Sequence, residues 1–179
     1  PGDQIVQAGP APVGAAAVLA AEAADRLAAL DVGTLARAGA ALREPGISVV
    51  EAALASVGLG ATSLHDPTEG GLAAGLAELA LPSGVALSID AERVLWFEPG
   101  RSVCQALGAD PWGALASGAL LAAFPPERAL AACEALAKRG IPAHVIGRAR
   151  PGSGVTFRDG TPLPDFARDE CARVLGDFD

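Results

Sequence analysis

Apolar side chains recur along this chain with two different periods, which predict both strands and helices. Residues 85–89 alternate apolar and small or polar side chains, which is the period of a half-buried strand. Residues 71–81 carry leucines at helical spacing, which predicts an amphipathic helix. The uninterrupted apolar run 119–124 is typical of a fully buried strand, which we expect near the centre of a sheet.

The same criteria predict a mixed series of elements along the rest of the chain. Strands are predicted over residues 3–8, 61–64, 85–89, 119–124 and 144–149, followed by a hairpin that joins 155–157 to Leu163. Helices are predicted over residues 14–30, 31–42, 48–58, 71–81, 99–107 and 126–139, with a last helix that begins at Asp165. Because strands and helices do not alternate strictly, this order predicts an α+β fold in which helices cover a sheet.

Two of these helices carry specific expectations about capping and burial. Ser48 is predicted to cap the third helix, whose Val50, Leu54 and Val57 share one face. Asp165 is predicted to cap the terminal helix, with the following three side chains turned inward: Ala167, Cys171 and Val174.

Composition limits the size and the class of the protein. With 179 residues, of which 51% are hydrophobic and 19% charged, the chain is long enough for one domain spanning residues 1–179. The net charge of −8 argues against a nucleic-acid partner, because such proteins usually carry a basic surface. The chain begins with Pro1 and contains no Met, so we expect it to be part of a longer product.

The cysteines and the longest apolar stretches point to a cytoplasmic protein without a metal centre. Cys104, Cys133 and Cys171 stand far apart and form no CxxC pair, which favours neither a zinc site nor a disulfide framework. The small-apolar stretch 14–21 is shorter than a membrane span, so no membrane segment is predicted. A position within the last helix favours a core role for Cys171, because reactive thiols need an exposed, electropositive setting.

The most informative motif is Leu64-His65-Asp66-Pro67-Thr68-Glu69-Gly70-Gly71-Leu72, which joins a predicted strand to a predicted helix. Pro67 disfavours a helical backbone at Asp66, and Thr68 is predicted to be the N-cap of the helix that follows. Gly70 and Gly71 leave backbone amides without a covering side chain, and such amides at a helix start suit an anion such as a phosphate. The plain alternative is a well-capped structural turn, since threonine caps and glycine turns are common.

This motif resembles the C-terminal domain of the aminoimidazole ribonucleotide synthetase (PurM-like) superfamily. Three further segments support the resemblance and follow the family order: Pro1-Gly2-Asp3, Ala106-Leu107-Gly108-Ala109-Asp110-Pro111 and Ala116-Ser117-Gly118-Ala119-Leu120-Leu121. The branch that the chain is most similar to is that of the hydrogenase-maturation carbamoyl dehydratases and their uncharacterised relatives. The resemblance implies a three-layer α/β/α domain with a mixed sheet.

The resemblance also implies roles for individual residues. The loop would face a cleft between two domains, with Asp66, Thr68, Gly70 and Gly71 near nucleotide phosphates or a phosphorylated substrate. The Ser117-Gly118 pair would face the same cleft, although a tight helix-to-strand connection explains this pair equally well. Asp66 and His65 are the catalytic candidates. A lone histidine beside a strand end is more often a structural residue than a base, and His144 lacks any metal-ligand pattern around it.

The same resemblance implies cofactors and partners. An N-terminal ATP-binding domain of the same protein would precede this chain, ATP and Mg²⁺ would act in the full-length enzyme, and none is expected for this domain alone. A homodimer and a small phosphorylated or carbonyl substrate are implied as well. Because the chain has no GxxxxGK[ST] loop and no dense acidic cluster, we expect no ATP hydrolysis from the domain alone.

Two departures from the family pattern leave the function open between three hypotheses. Glu69 stands where the carbamoyl dehydratase branch usually has Arg, and an anion there would weaken a phosphate site. That branch also needs a reactive terminal Cys, whereas this chain ends Gly176-Asp177-Phe178-Asp179, so either that activity is absent or the given sequence stops short of that Cys. The hypotheses are a substrate-side domain of an ATP-dependent enzyme, a noncatalytic interaction module that keeps the fold, and a phosphotransferase resembling thiamine-monophosphate kinase. The last is disfavoured because that branch resembles D-x-S-D-G-L rather than residues 66–71.

Overall fold

A six-stranded mixed sheet forms the middle layer of the computed structural model, which describes residues 1–176. The strands are β1 (Gln4–Ala8), β2 (Ser63–His65), β3 (Ala86–Ile89), β4 (Leu120–Phe124), β5 (Ala143–Arg150) and β6 (Gly154–Phe157). Their order across the sheet is β2-β4-β1-β5-β3-β6, and every pairing is antiparallel except that of β3 with β6. The first strand of the chain therefore lies inside the sheet.

Helices cover both faces of this sheet and extend beyond it. They are α1 (Val13–Glu22), α2 (Val32–Ala40), α3 (Val50–Gly58), α4 (Gly71–Ser83), α5 (Glu98–Leu107), α6 (Pro126–Ala137) and α7 (Glu170–Leu175). Helix α4 packs on one face of the sheet, and α3 and α6 pack on the other. Helices α1, α2, α5 and α7 contribute to a third hydrophobic cluster, beyond the two on the sheet faces. The predicted α+β class with three layers is confirmed.

Strand β4 contributes side chains to the hydrophobic clusters on both faces of the sheet. All five of its residues are buried, as the apolar run predicts. Leu121 and Ala123 belong to the cluster on the α4 side, whereas Leu120, Ala122 and Phe124 belong to the cluster on the α3 and α6 side. Since successive strand residues point to opposite faces, a strand covered on both faces must be apolar throughout. The predicted full burial is confirmed, but β4 lies next to the edge strand β2 and not at the centre of the sheet.

The first predicted helix ends earlier than the prediction of residues 14–30. Helix α1 ends at Glu22, where the backbone of Ala23 leaves the helical region, and a 3-10 turn follows over Ala24–Leu27. This turn still buries Leu27 in the cluster around α1. The apolar spacing continues through the turn, so periodicity alone could not locate the break.

Helix α3 exposes the face that the sequence groups together. Val50, Leu54 and Val57 do share a face, but their relative exposures are 63%, 70% and 62%. The opposite face is buried through the small side chains of Ala52 and Ser56. Small residues on the buried face let the helix lie close to the layer beneath it. The predicted Ser48 cap is wrong, because the N-cap position is Val49 and no side chain caps the helix.

The terminal helix begins later than predicted. Asp169, not Asp165, is its N-cap, and the Asp169 carboxylate accepts a hydrogen bond of 2.8 Å from the amide of Cys171. Ala167 lies outside the helix and is exposed, whereas Cys171 is buried as predicted. The segment before Asp169 is irregular, with a bend at residues 167–168, and Phe166 packs against Gly113.

The described helices are all too short or too polar to span a lipid bilayer.

Candidate functional site

The loop between β2 and α4 starts at the sheet edge and ends in a glycine turn. β2 pairs with β4, and α4 begins at Gly71. Pro67 is buried beneath the first turns of α4, while Asp66, Thr68 and Glu69 are exposed. Gly70 is the N-cap of α4, with a left-handed backbone (φ 76°) that favours glycine. The prediction that Thr68 caps this helix is therefore wrong, because the left-handed turn places the helix start two residues later.

Both glycine amides already have partners within the protein. The amide of Gly70 donates to the carboxylate of Asp169 at 2.8 Å, and the amide of Gly71 donates to the carbonyl of Thr68 at 3.1 Å. The expectation that these two amides stand open to a ligand is wrong. A negative charge does lie at the start of α4, as the helix dipole favours, but the carboxylate of Asp169 supplies that charge.

A second predicted segment lies against this loop. The carbonyl of Thr68 also accepts from the amide of Ala116 at 3.0 Å, and the carbonyl of Trp112 accepts from the amide of Ala73 at 3.0 Å. A side chain at Gly71 would collide with the backbone of Trp112 and Gly113. The structure therefore brings residues 66–71 and 110–118 together, although nearly forty residues, 72–109, separate them in the sequence.

Ser117 and Gly118 lie at the far side of this second segment, beside the start of α1. The Ser117 carbonyl accepts from the amide of Gly14 at 3.1 Å. Gly118 has a left-handed backbone (φ 106°), and its carbonyl lies so close to Gly9 that no side chain fits there. These contacts describe a tight connection into β4, and a ligand role for the pair stays a prediction.

The two catalytic candidates differ in their surroundings. His65 Nε2 lies 2.9 Å from a carboxylate oxygen of Glu78, which projects from the second turn of α4; their side chains are 28% and 60% exposed. A base at His65 would have to leave this pair before it could reach a substrate proton. Asp66 is exposed on the loop itself, which makes it the more accessible of the two.

The sequence did not indicate that two acidic side chains, those of Asp169 and Glu170, hydrogen-bond to the backbone of these loops. Glu170 is 5% exposed, and its carboxylate accepts from the amide of Asp110 at 2.7 Å and from Arg173. The bond from Arg173 lowers the pKa of the Glu170 carboxyl. Glu170 also lines a shallow 450 Å³ depression with the following residues: Arg101, Gln105, Gly108, Ala109, Asp110 and Pro111. The only sequence signal was the i,i+3 spacing of Glu170 and Arg173.

An aromatic cluster next to the second loop was also missed. Trp112 makes edge-to-face contacts with Trp96 and Phe157, at ring-centroid distances of 5.1 and 5.3 Å. The guanidinium of Arg101 lies 5.6 Å from the centroid of Trp96. These aromatic and cation–π contacts hold Trp112, and with it the loop, in place. The one signal in the sequence was that the chain has only two Trp and five Phe, so each aromatic side chain was a candidate for a specific contact.

A long apolar groove runs along the exposed side of α4. It encloses about 770 Å³ between the α4 residues from Gly70 to Gly84 and the segments 152–155 and 163–166. Ala73, Ala77 and Leu81 line the helix side. Gly70 is among its lining residues, so the groove reaches the candidate loop.

The donor set does not fit a complete site for ATP and Mg²⁺ within this chain. Among residues 1–176, no three His, Cys, Asp or Glu side chains are grouped so that they could hold a metal ion. The amides at the start of α4 are bonded to the protein itself. We therefore derive no step of phosphate chemistry from the described residues alone.

The three cysteines have the surroundings of core residues. Burial raises the pKa of the Cys104 thiol to about 12, and burial likewise raises the pKa of Cys171. Cys133 is half-buried, and its pKa is also raised. These thiols are the weakly reactive kind, as predicted for Cys171. Residues 177–179, compared above with the terminal Cys of the carbamoyl dehydratase branch, lie outside the described residues.

Comparison with known proteins places these features in a family. The family model of the AIR synthase related protein, C-terminal domain, matches residues 1–160. Carbamoyl dehydratase HypE of Azotobacter vinelandii is 41% identical over 86 residues, which cover 47% of this chain and 25% of that protein. Carbamoyl dehydratase HypE of Rhizobium leguminosarum bv. viciae is 38% identical over 84 residues, covering 47% and 23%.

Solved structures share the fold over nearly the whole chain. The crystal structure of HypE from E. coli, a hydrogenase maturation protein, superposes with a TM-score of 0.70 at 22% identity and covers 97% of this chain and 52% of its own. Thiamine-monophosphate kinase from Stenotrophomonas maltophilia K279a gives a TM-score of 0.65 at 19% identity, covering 90% and 51%. The chain thus spans about half the length of these solved proteins, and its match spans about a quarter of the curated relatives. The chain belongs to the AIR synthase related protein family, as a C-terminal domain of the PurM-like, HypE-like type.

Proposed function

We propose that this chain is the substrate-side domain of an ATP-dependent enzyme related to AIR synthase, and that it is inactive alone. The observation that carries the proposal is the joining of the loop 66–71 to the segment 110–118 through the carbonyl of Thr68. This junction presents the exposed Asp66 and Thr68 at the start of a helix, where a phosphorylated or carbonyl substrate can be oriented. ATP and Mg²⁺ would be held mainly by an N-terminal domain of the same protein.

The proposal extends to the type of reaction. Two relatives with sequence matches are carbamoyl dehydratases, and a HypE structure in complex with ATP is among the similar folds. We propose a hydrogenase-maturation-like activity on this basis, in a cytoplasmic homodimer. A HypE–HypF complex is also among the similar structures, so a protein partner fits the same proposal.

A second candidate function is a noncatalytic interaction module. Two observations favour it: Glu69 adds negative charge beside the loop, and Asp169 already occupies the Gly70 amide. Both features oppose the approach of a phosphate by charge repulsion. A phosphotransferase of the thiamine-monophosphate-kinase type has only the shared fold in its favour.

The decisive experiment compares the full-length protein with the present chain in an ATP turnover assay, with carbamoyl-group and thiamine-monophosphate substrates supplied separately. We expect turnover from the full-length protein and none from the chain alone above a heat-inactivated control. Asp66→Asn should lower turnover at least tenfold, whereas Glu134→Gln, an exposed carboxylate on α6 at the other face of the sheet, should leave it unchanged. A full-length protein that folds and shows no turnover with either substrate would favour the interaction module.

A further inference from the structure

We propose that residues 166–173, called here the C-terminal clasp, couple the two loops of the candidate site mechanically, with Asp169 and Glu170 as positioning residues. The family model ends at residue 160, so the clasp lies beyond the part of the chain that defines the family. The catalytic consequence rests on the proposed function, whereas the coupling of the loops does not.

Asp169 holds the first loop. One carboxylate oxygen accepts from the amide of Gly70 at 2.8 Å, and the other accepts from the amide of Cys171 at 2.8 Å. One side chain thus caps α7 and fixes the N-cap residue of α4. Hydrogen bonds to an ionised acceptor are about twice as strong as neutral ones, and using both oxygens restricts rotation of the carboxylate.

Glu170 holds the second loop from the next position in the chain. Its carboxylate accepts from the amide of Asp110 at 2.7 Å, and its own amide donates to the carbonyl of Gly113 at 3.0 Å. Arg173 pairs with Glu170 and donates to the carbonyl of Gly108 at 2.6 Å. These bonds reach Gly108, Asp110 and Gly113, so they hold the start of the second segment and the two residues before it.

Packing anchors the clasp to the rest of the domain. A Cβ atom at Gly113 would lie 2.6 Å from the ring of Phe166, so the ring can pack there only because residue 113 has no side chain. Cys171 is buried among the helices of the α1 cluster, and Arg26 donates at 2.7 Å to the carbonyl of Val174, the residue that directly follows the clasp. The clasp is therefore fixed on one side to the helical cluster and on the other to the loops.

The covalent adjacency of Asp169 and Glu170 has a mechanical consequence. Two residues joined by one peptide bond each hold a different loop, so displacement of either one must move the other. A change at one loop should then reach the second through the clasp. The two loops also contact each other directly, through the Thr68–Ala116 and Ala73–Trp112 hydrogen bonds, so the clasp adds a second connection between them.

Hydrogen–deuterium exchange of the full-length protein, read by mass spectrometry on peptides covering 66–74 and 108–116, tests the coupling. We expect Asp169→Asn and Glu170→Gln each to speed exchange about tenfold in both peptides. Asp31→Asn is the matched control, since its carboxylate also accepts from a backbone amide, that of Thr34 at 2.9 Å, at the start of α2 rather than in either loop. It should change neither peptide.

Each result decides a separate point. The coupling is overturned if each variant speeds exchange only in the peptide to which the altered residue is hydrogen-bonded. It is also overturned if exchange is unchanged in both peptides. If Asp169→Asn fails to fold, Glu170→Gln and Asp169→Glu serve the same comparison. In the turnover assay, a lower kcat with an unchanged KM would support positioning, and an unchanged kcat despite faster exchange would overturn it. Absence of turnover in the wild type would refute the proposed function, while the exchange data would still decide the coupling.

Discussion

Gly75 lies directly against Pro67, so the first turns of α4 rest on the proline of the preceding loop: a Cβ at Gly75 would lie 2.5 Å from the Cβ of Pro67. Substituting Gly75→Ala forces these groups apart and should destabilise the protein by about 1–3 kcal/mol. Urea denaturation measures the difference. Gly39→Ala in α2 is the control, since nothing lies within 4 Å of the added methyl group. It should be neutral or stabilise by up to about 1 kcal/mol, and equal losses in both variants would contradict the argument.

The glycine turn at the start of α4 gives a second prediction. Gly71 has a left-handed backbone (φ 70°), and a side chain there would meet the backbone of Trp112 and Gly113. Gly71→Ala should therefore destabilise by roughly 2 kcal/mol or more, the left-handed backbone alone costing about 1–2. Thr68→Ala should change stability by less than about 0.5 kcal/mol, because the exposed side chain does not cap the helix. If Thr68→Ala instead loses about 1 kcal/mol of stability, the side chain of Thr68 does cap α4.

The cysteines should react in an order set by burial. Cys133 is half-buried, whereas Cys104 and Cys171 are buried, so a thiol reagent at pH 8 should label Cys133 first. Cys104 and Cys171 should label only when the protein is unfolded. Mass spectrometry of native and urea-treated samples measures this order. Rapid labelling of Cys171 in the native protein would reopen a role for that thiol.

The raised pKa of Cys104 also predicts the pH dependence of stability. Folding raises this pKa from 9.0 to about 12, so its stabilising effect is complete below pH 9 and is lost as the pH rises toward 12. Between pH 9 and 11, the free energy of unfolding should fall more steeply for the wild type than for Cys104→Ala. Denaturation curves at several pH values test this slope. Parallel slopes would show that the thiol does not ionise on unfolding.

Glu170 predicts the opposite behaviour at acid pH. Its pKa is lowered from 4.5 by Arg173, so its contribution to stability is present above pH 4.5 and is lost as the pH falls through the folded value. At pH 7, Glu170→Gln should destabilise by about 1–3 kcal/mol through weakened hydrogen bonds. The difference from the wild type should shrink below pH 4.5. A difference that stays constant down to pH 3 would exclude a charged Glu170.

The sequence predicted the elements best where local patterns and tertiary packing agree. The alternation over 85–89 and the apolar run 119–124 correspond to β3 and β4, because burial of a strand depends on its own side chains. The helix after the glycine motif was also predicted, since leucine spacing fixes its buried face. Val50, Leu54 and Val57 of α3 share a face as predicted, but their exposure could not be foreseen, because apolar spacing shows which residues share a face, not which face is covered.

The candidate site could be predicted only in part. The resemblance implied that the loop 66–71 and the Ser117-Gly118 pair face the same cleft, but it did not predict the direct contact that the Thr68–Ala116 hydrogen bond makes. The partner of Gly70 could not be foreseen, because Asp169 lies 99 positions away and no local pattern connects the two. Cap prediction failed at Thr68 and Asp165 for a related reason: many polar residues can cap a helix, and tertiary contacts select among them.

The interior position of β1 has a consequence for synthesis. β1 must pair with β4 and β5, and more than a hundred residues separate it from the first of these. At about 5–20 residues per second, a ribosome takes on the order of ten seconds to supply that partner. During this interval the apolar residues of the nascent strand have no sheet to join. Cellular yield of this protein should therefore depend on chaperone supply and on translation rate more strongly than its final stability would suggest.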